Sequence, residues 1–224
     1  MSSSGAAQEA GELLAELEKG IPRHWDGKQS ILELRQADFQ WRQMEWIGWY
    51  FEYKARKTLE ARFGRREVPT YGRTRFDFRH ANVWDFKAHP TGGSNWAIIN
   101  DKEAVDLCIR DNGGLGIVLA VGPAQYDSDG SFKAWHDQLK GGTSEYERER
   151  IRRAARSRSR KTSFDLACYI FAWLTRRTVD QGLQSGWIKT FQDGMRNADG
   201  SPRRAKYMVD VEALPESAVA LRKC

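Results

Sequence analysis

Cysteine is scarce in this chain and badly spaced for chemistry. The three present, Cys108, Cys168 and Cys224, show no C-x-x-C or Cys/His spacing, which argues against a zinc site and reads as reduced thiols. Long apolar runs are missing too. None approaches the roughly 20 residues needed to span a bilayer, so no membrane is expected as a partner. The opening MSSSGAAQEAGE has neither a basic stretch nor an apolar core, and is expected to be a mobile tail rather than a signal peptide. No internal repeat is found. These absences leave the expectation of a cytoplasmic protein.

Aromatic residues, by contrast, are plentiful at 12%, with nine Trp, which argues for a folded chain. The length of 224 residues suits one domain with a real core. The net charge of +6 is local: residues 148–161, RERIRRAARSRSRK, hold eight Arg or Lys and one Glu, while elsewhere 28 basic residues face 29 acidic ones. Like charges at that density repel unless an anion neutralises them. Arg152, Arg153, Arg156, Arg158, Arg160 and Lys161 are therefore candidates for phosphate contacts, with binding that falls steeply with salt. The plainer alternative is a solvated helix face.

The most informative stretch is YGRTRFDFRHANVWDFKA, Tyr71–Ala88. Two runs rich in aromatic and branched residues, Thr74–Phe78 and Val83–Phe86, flank a polar Arg79-His80-Ala81-Asn82 turn, which predicts a β-hairpin. Asp85 and Lys87, two apart on the second strand, point the same way, and Asp77 on the first can reach that face. Two carboxylates and an ammonium are costly to desolvate together without a further ligand. A divalent cation such as Mg²⁺, which takes oxygen ligands, would remove the difficulty. A solvated cross-strand ion pair is the bland alternative.

Around the hairpin, periodicity predicts helices over Glu12–Lys19 and Ala37–Phe63, the second closed by Gly64. A strand at Trp96–Ile99 follows, then a helix capped by Asp101 and running to Asn112. LGIVLAV, Leu115–Val121, predicts a strand buried on both faces. Further helices are predicted over Phe132–Leu139, Ser144–Ser157 and Phe164–Val179, then a turn-rich Asp193–Pro202 segment and a strand at Ala205–Val211.

Helix, three strands, helix and strand, with D…DxK in the middle, resembles the PD-(D/E)XK nuclease superfamily over about residues 37–122. The resemblance implies an α/β (α+β) fold: a mixed central β-sheet flanked by helices, with an αβββαβ restriction-endonuclease-like core. Residues 1–36 would be a tail and short helix, 37–122 the catalytic core, and 123–224 a helical, basic DNA-docking part on the same domain. The first core helix of the superfamily often adds a carboxylate in a GxxFE-like stretch, matched here by Gly48-Trp49-Tyr50-Phe51-Glu52. On a helical wheel Glu52 and Glu45 fall within about 20° of each other, on the face that should meet the sheet. Glu52 is the first choice and Glu45 the reserve. Asp77, Asp85, Glu52 and the Phe86 carbonyl would hold Mg²⁺ (Mn²⁺ as substitute), and Lys87 would orient the attacking water. The implied activity is hydrolysis of double-stranded DNA by a type II restriction enzyme, commonly a homodimer.

Ser94, Asn95, Gln192, Arg196, Asn197, Arg203 and Arg204 have side chains suited to base edges, Arg to guanine and Asn or Gln to adenine. Surface loops with such residues are common, so an ordinary polar loop is the alternative. His89, just past the second strand, is more often a structural residue than a phosphate contact. Two other functions stay open: a non-catalytic nucleic-acid-binding protein on a degenerate nuclease fold, and a structure-specific repair or junction nuclease.

Overall fold

The computed structural model describes residues 3–143, 148–149, 152, 160–197 and 200–224. Helix α1 (Ser3–Gly20) already occupies the stretch expected to be a tail. The reason is an apolar stripe: Ala6, Ala10, Leu13 and Leu17 are all buried. Strand β1 (His24–Asp26) and helix α2 (Gly27–Gln36) follow. The helix predicted from Ala37 begins only at Trp46, as α3 (Trp46–Phe63). Asp38 at φ 48° and Gln40 at φ 45° hold left-handed backbone in between, which a right-handed helix cannot accommodate.

The predicted hairpin is realised only in part: β2 (Thr70–Tyr71) pairs with β3 (Thr74–Arg75), Asp77 lies in a bend rather than on a strand, and β4 (Phe78–Arg79), which takes in Arg79 from the predicted turn, pairs with β5 (Val83–Pro90). Strand β6 (Trp96–Asp101), helix α4 (Lys102–Asn112) and strand β7 (Leu115–Gly122) lie close to where the sequence puts them. Strand β8 (Ala124–Tyr126) and helix α5 (Ser131–Leu139) come next. Of the Ser144–Ser157 helix, only residues 148–149 and 152 are described.

Beyond that point the sequence misleads. The helix predicted over Phe164–Val179 is instead β9 (Lys161–Asp165), β10 (Cys168–Leu174) and α6 (Arg176–Ser185). Every residue of β10, CYIFAWL, is buried. A short run with no polar face has no period to betray whether it is strand or helix. Strands β11 (Ile188–Phe191), β12 (Lys206–Asp210) and β13 (Val219–Lys223) complete the chain, so the described residues of the C-terminal half mix six strands with two α-helices rather than being helical as expected.

The central sheet runs β13-β10-β7-β5-β4. Strands β5 and β7 are parallel, joined through β6 and α4, and the other neighbours are antiparallel. Trp84, Phe86, Val118, Ala120, Tyr169 and Phe171 form one face and pack with α1 and α3. Val83, Ile117, Leu119, Ile170 and Ala172 form the other, against α4, α6 and the smaller β11-β12-β6 sheet. Burying each large side chain of these layers contributes about 1.5–3 kcal/mol. Gly116 stands opposite Trp84 in the parallel ladder, and a Cβ there would overlap the indole.

Two features tie the ends of the chain into this frame. Pairing of β13 with β10 brings Cys168 and Cys224 into a disulfide, correcting the expectation of reduced thiols at those positions; Cys108 is free and buried. At the other end, the buried Glu9 of α1 accepts from the backbone N–H groups of Ala81 and Asn82 and from the Asn82 side chain. It thereby clamps the turn between β4 and β5. Glu9→Ala leaves those donors unsatisfied, and urea denaturation should show a loss of about 1–3 kcal/mol. An unchanged midpoint would mean the clamp is immaterial.

Candidate active site

Strand β4 pairs with β5 only through Phe78–Trp84 and Arg79–Val83. From Asp85 onward no strand among the described residues lies beside that edge of β5, yet its N–H groups still need acceptors. The Phe86 N–H donates to Asp77 Oδ2 at 2.7 Å. The Asp77 carboxylate thus replaces a ladder partner, which fixes where it sits. Trp84 and Phe86 point into the α3 layer, while Val83, Asp85 and Lys87 take the alternate positions. Phe86 meets Phe51 of α3 edge-on at 5.7 Å, and the next helix residue is Glu52.

Asp85 is 1% exposed. Lys87 Nζ lies 2.5 Å from Asp85 Oδ2, a close charge-assisted contact, while Asp85 Oδ1 has no donor among the described residues. Buried carboxylate oxygens without donors are unusual, because the desolvation cost stays uncompensated. Glu52 is mostly buried and held by Arg56, whose Nη1 lies 3.5 Å from Oε1. Arg56 also reaches Glu60 at 3.7 Å.

The four groups share one electrostatic field. Burial pushes the Asp77 carboxyl well up; Asp85 and Glu52 push it further, against Lys87 and the Phe86 N–H. Burial likewise raises Glu52, with Lys87 and Arg56 opposing and Asp85 adding. Burial alone would lower the Lys87 ammonium, but Asp85, Asp77 and Glu52 together carry it above its ordinary value. Lys87 therefore stays charged, and Asp77 and Glu52 hold protons more readily than free carboxylates do. Against protein-family models, curated proteins and solved structures, the chain finds no match.

The other candidates separate. Glu45 is exposed and precedes the first turn of α3, so the helical wheel that grouped it with Glu52 does not extend to it. Among the described residues no three His, Cys, Asp or Glu side chains are disposed as a ready cation site. His89 is buried, and burial lowers its imidazole pKa. Ser94 Oγ accepts from the Trp96 N–H, and Asn95 donates to Glu212 at 2.7 Å, so both brace their own loop.

Of the basic run, Arg153, Arg156 and Arg158 lie outside the described residues. Arg152 is exposed and paired with Glu149. Arg160 is only 7% exposed, so it is a core cation and not part of a docking stripe; Lys161 opens β9 and stacks over Tyr126. In the C-terminal segment, Arg196 donates to the Gly200 carbonyl and Asn197 to Ser201 Oγ, bracing the loop between β11 and β12. Gln192 sits in that loop at φ 65°, Arg203 is exposed, and Arg204 pairs with Asp101. Sequence reasoning missed Arg56 and Glu9. Arg56 is four residues beyond Glu52, the spacing of a helical ion pair, and that signal was available; nothing local marks Glu9.

Because burial and its neighbours hold the Asp77 carboxyl above its ordinary range, folding stability is lost as pH rises through that raised value. Asp77→Asn keeps an acceptor for the Phe86 N–H and removes the charge. Denaturant melts without divalent metal should find it more stable than the parent by about 1–2 kcal/mol at pH 8, the gain vanishing near pH 4. A variant less stable at pH 8 would contradict the electrostatic account.

Proposed function

We propose that this protein is a Mg²⁺-dependent endonuclease of double-stranded DNA with a PD-(D/E)XK-like αβββαβ core, acting as a restriction enzyme. The observation that carries this reading is the convergence of Asp77, Asp85 and Lys87 at the edge of β5, with Glu52 in the same electrostatic field and Asp85 Oδ1 buried without a donor. The order of elements adds support: α3 against β5, an antiparallel β4–β5 pair, and α4 leading into a strand parallel to β5.

An oxygen-seeking divalent ion fits the buried, donor-less Oδ1 of Asp85 and its acidic neighbours. Asp77, Asp85 and Glu52 would hold Mg²⁺ or Mn²⁺, with the Phe86 carbonyl as a further oxygen and Glu45 excluded. When bound, the ion supplies Lewis acidity toward the scissile phosphate. Lys87, kept protonated by three acids, is a charge donor rather than a base: it orients the attacking water and stabilises charge on the phosphate. Arg56 neutralises part of the Glu52 charge and fixes its rotamer. The products would carry 5′-phosphate and 3′-hydroxyl ends. A palindromic site would be read by a homodimer.

Digestion of a long DNA of known sequence with Mg²⁺, methylated and unmethylated, should give discrete fragments. Lys87→Ala should abolish cleavage, by at least about a hundredfold, with DNA binding retained. Intact DNA under all these conditions would overturn the nuclease reading.

The absence of a three-acid cation set among the described residues, with Lys87 against Asp85, favours a second reading, a non-catalytic nucleic-acid-binding protein. Calorimetry separates the two. Heat of Mg²⁺ or Mn²⁺ binding that disappears in Asp85→Ala supports the enzyme; no heat, with salt-sensitive DNA binding, supports the module.

A further inference from the structure

A concave site lies apart from the acidic cluster. The β2–β3 turn, the start of α4 and the segment between β11 and β12 enclose a cleft of about 980 Å³, lined by none of Glu52, Asp77, Asp85 or Lys87. Its floor is charge-paired: the buried Asp101 accepts from Thr74 Oγ1 at 2.7 Å and forms ion pairs with Arg204 and with Lys206, the latter at 3.5 Å. The start of α4 is thus braced from below rather than open.

The walls differ from the floor. Among the described residues, Arg73 on one wall and Arg203 on the other have no carboxylate partner, and both are exposed. The Gln192 amide, held at the rim by a left-handed backbone, has no side-chain partner either. Glu103, exposed in the first turn of α4, is likewise unpaired. Tyr71 contributes an aromatic ring whose hydroxyl is fixed to Asp111 at 3.1 Å.

Two free guanidinium groups suit a phosphate, which they can grip through paired N–H bonds. A free amide and a free carboxylate suit the donor and acceptor edge of a base, and an anchored ring suits its face. The volume is that of a small-ligand pocket. A duplex cannot enter such a cleft, but one nucleotide can.

We infer that this cleft binds a single nucleoside 5′-phosphate, either free or swung out of a DNA strand, with Arg73 and Arg203 on the phosphate and Gln192 reading the base. The DNA-borne form rests on the nuclease reading above; the free form does not.

The test uses the full chain without divalent metal. The four deoxynucleoside 5′-monophosphates are titrated by calorimetry, with inorganic phosphate as control. At least one nucleotide should bind, more tightly than phosphate, and the Arg73→Ala/Arg203→Ala double variant should weaken it by at least about tenfold. Gln192→Ala should change the order of preference among the four bases. Both arginines are exposed, so these variants should keep the parental melting temperature. In parallel, a duplex containing 2-aminopurine is added to Lys87→Ala protein. Enhanced fluorescence that is lost in the arginine double variant assigns the DNA-borne source, and nucleotide binding with no enhancement assigns the free one.

No nucleotide heat together with no fluorescence change, or phosphate binding as tight as any nucleotide, overturns the inference. DNA cleavage by a protein that fails both arms would leave the nuclease standing and remove the cleft. Nucleotide binding by a protein that never cuts DNA would do the reverse.

Discussion

One hydrogen bond organises the candidate site, that from the Phe86 N–H to the Asp77 carboxylate. Strand β4 ends after two residues, which leaves the edge of β5 open from Asp85 onward. An open edge exposes backbone donors, and proteins seldom leave such donors unmet. Here a side chain meets one of them, and that side chain is an acid. The same shortness of β4 that creates the need admits Glu52 from α3 into the field of Asp85 and Lys87. A longer β4 would close the edge and shut the helix out.

The cluster stores unfavourable electrostatics. Three carboxyls and one ammonium share a poorly solvated space, and one cation cannot balance three charges. The protein copes in two ways. Asp77 and Glu52 hold protons more readily than free carboxylates, and Arg56 pairs with Glu52. Neither measure gives Asp85 Oδ1 a donor. Arrangements this costly to folding are found where a ligand repays them.

Rigidity around the cluster comes from distant parts of the chain. Glu9 of α1 holds the β4–β5 turn from 72 residues away in sequence. Trp84 fills the space left by Gly116, locking β5 against β7. Strand β13, joined to β10 through Cys168 and Cys224, closes the far side of the sheet. The acidic edge is therefore set on a frame whose supports are drawn from both ends of the chain.

Much of this was legible in the sequence, for identifiable reasons. The hairpin, the shared face of Asp85 and Lys87, the α4 boundaries and the buried β7 follow from local chemistry: alternation along a strand, glycines at helix ends, an apolar run between turn residues. Glu52 was found through helical periodicity, which also produced the error over Glu45, since a wheel presumes a helix that had not begun. What tertiary structure decided were the matters local chemistry leaves degenerate. CYIFAWL fits a buried helix or a buried strand equally well, and only pairing with β7 and β13 makes it β10. The Cys168–Cys224 contact, the Glu9 clamp, the burial of Arg160 and the cleft beside α4 join residues far apart in sequence. No spacing rule reaches them, because burial and pairing energies arise only once distant segments exclude water from between themselves.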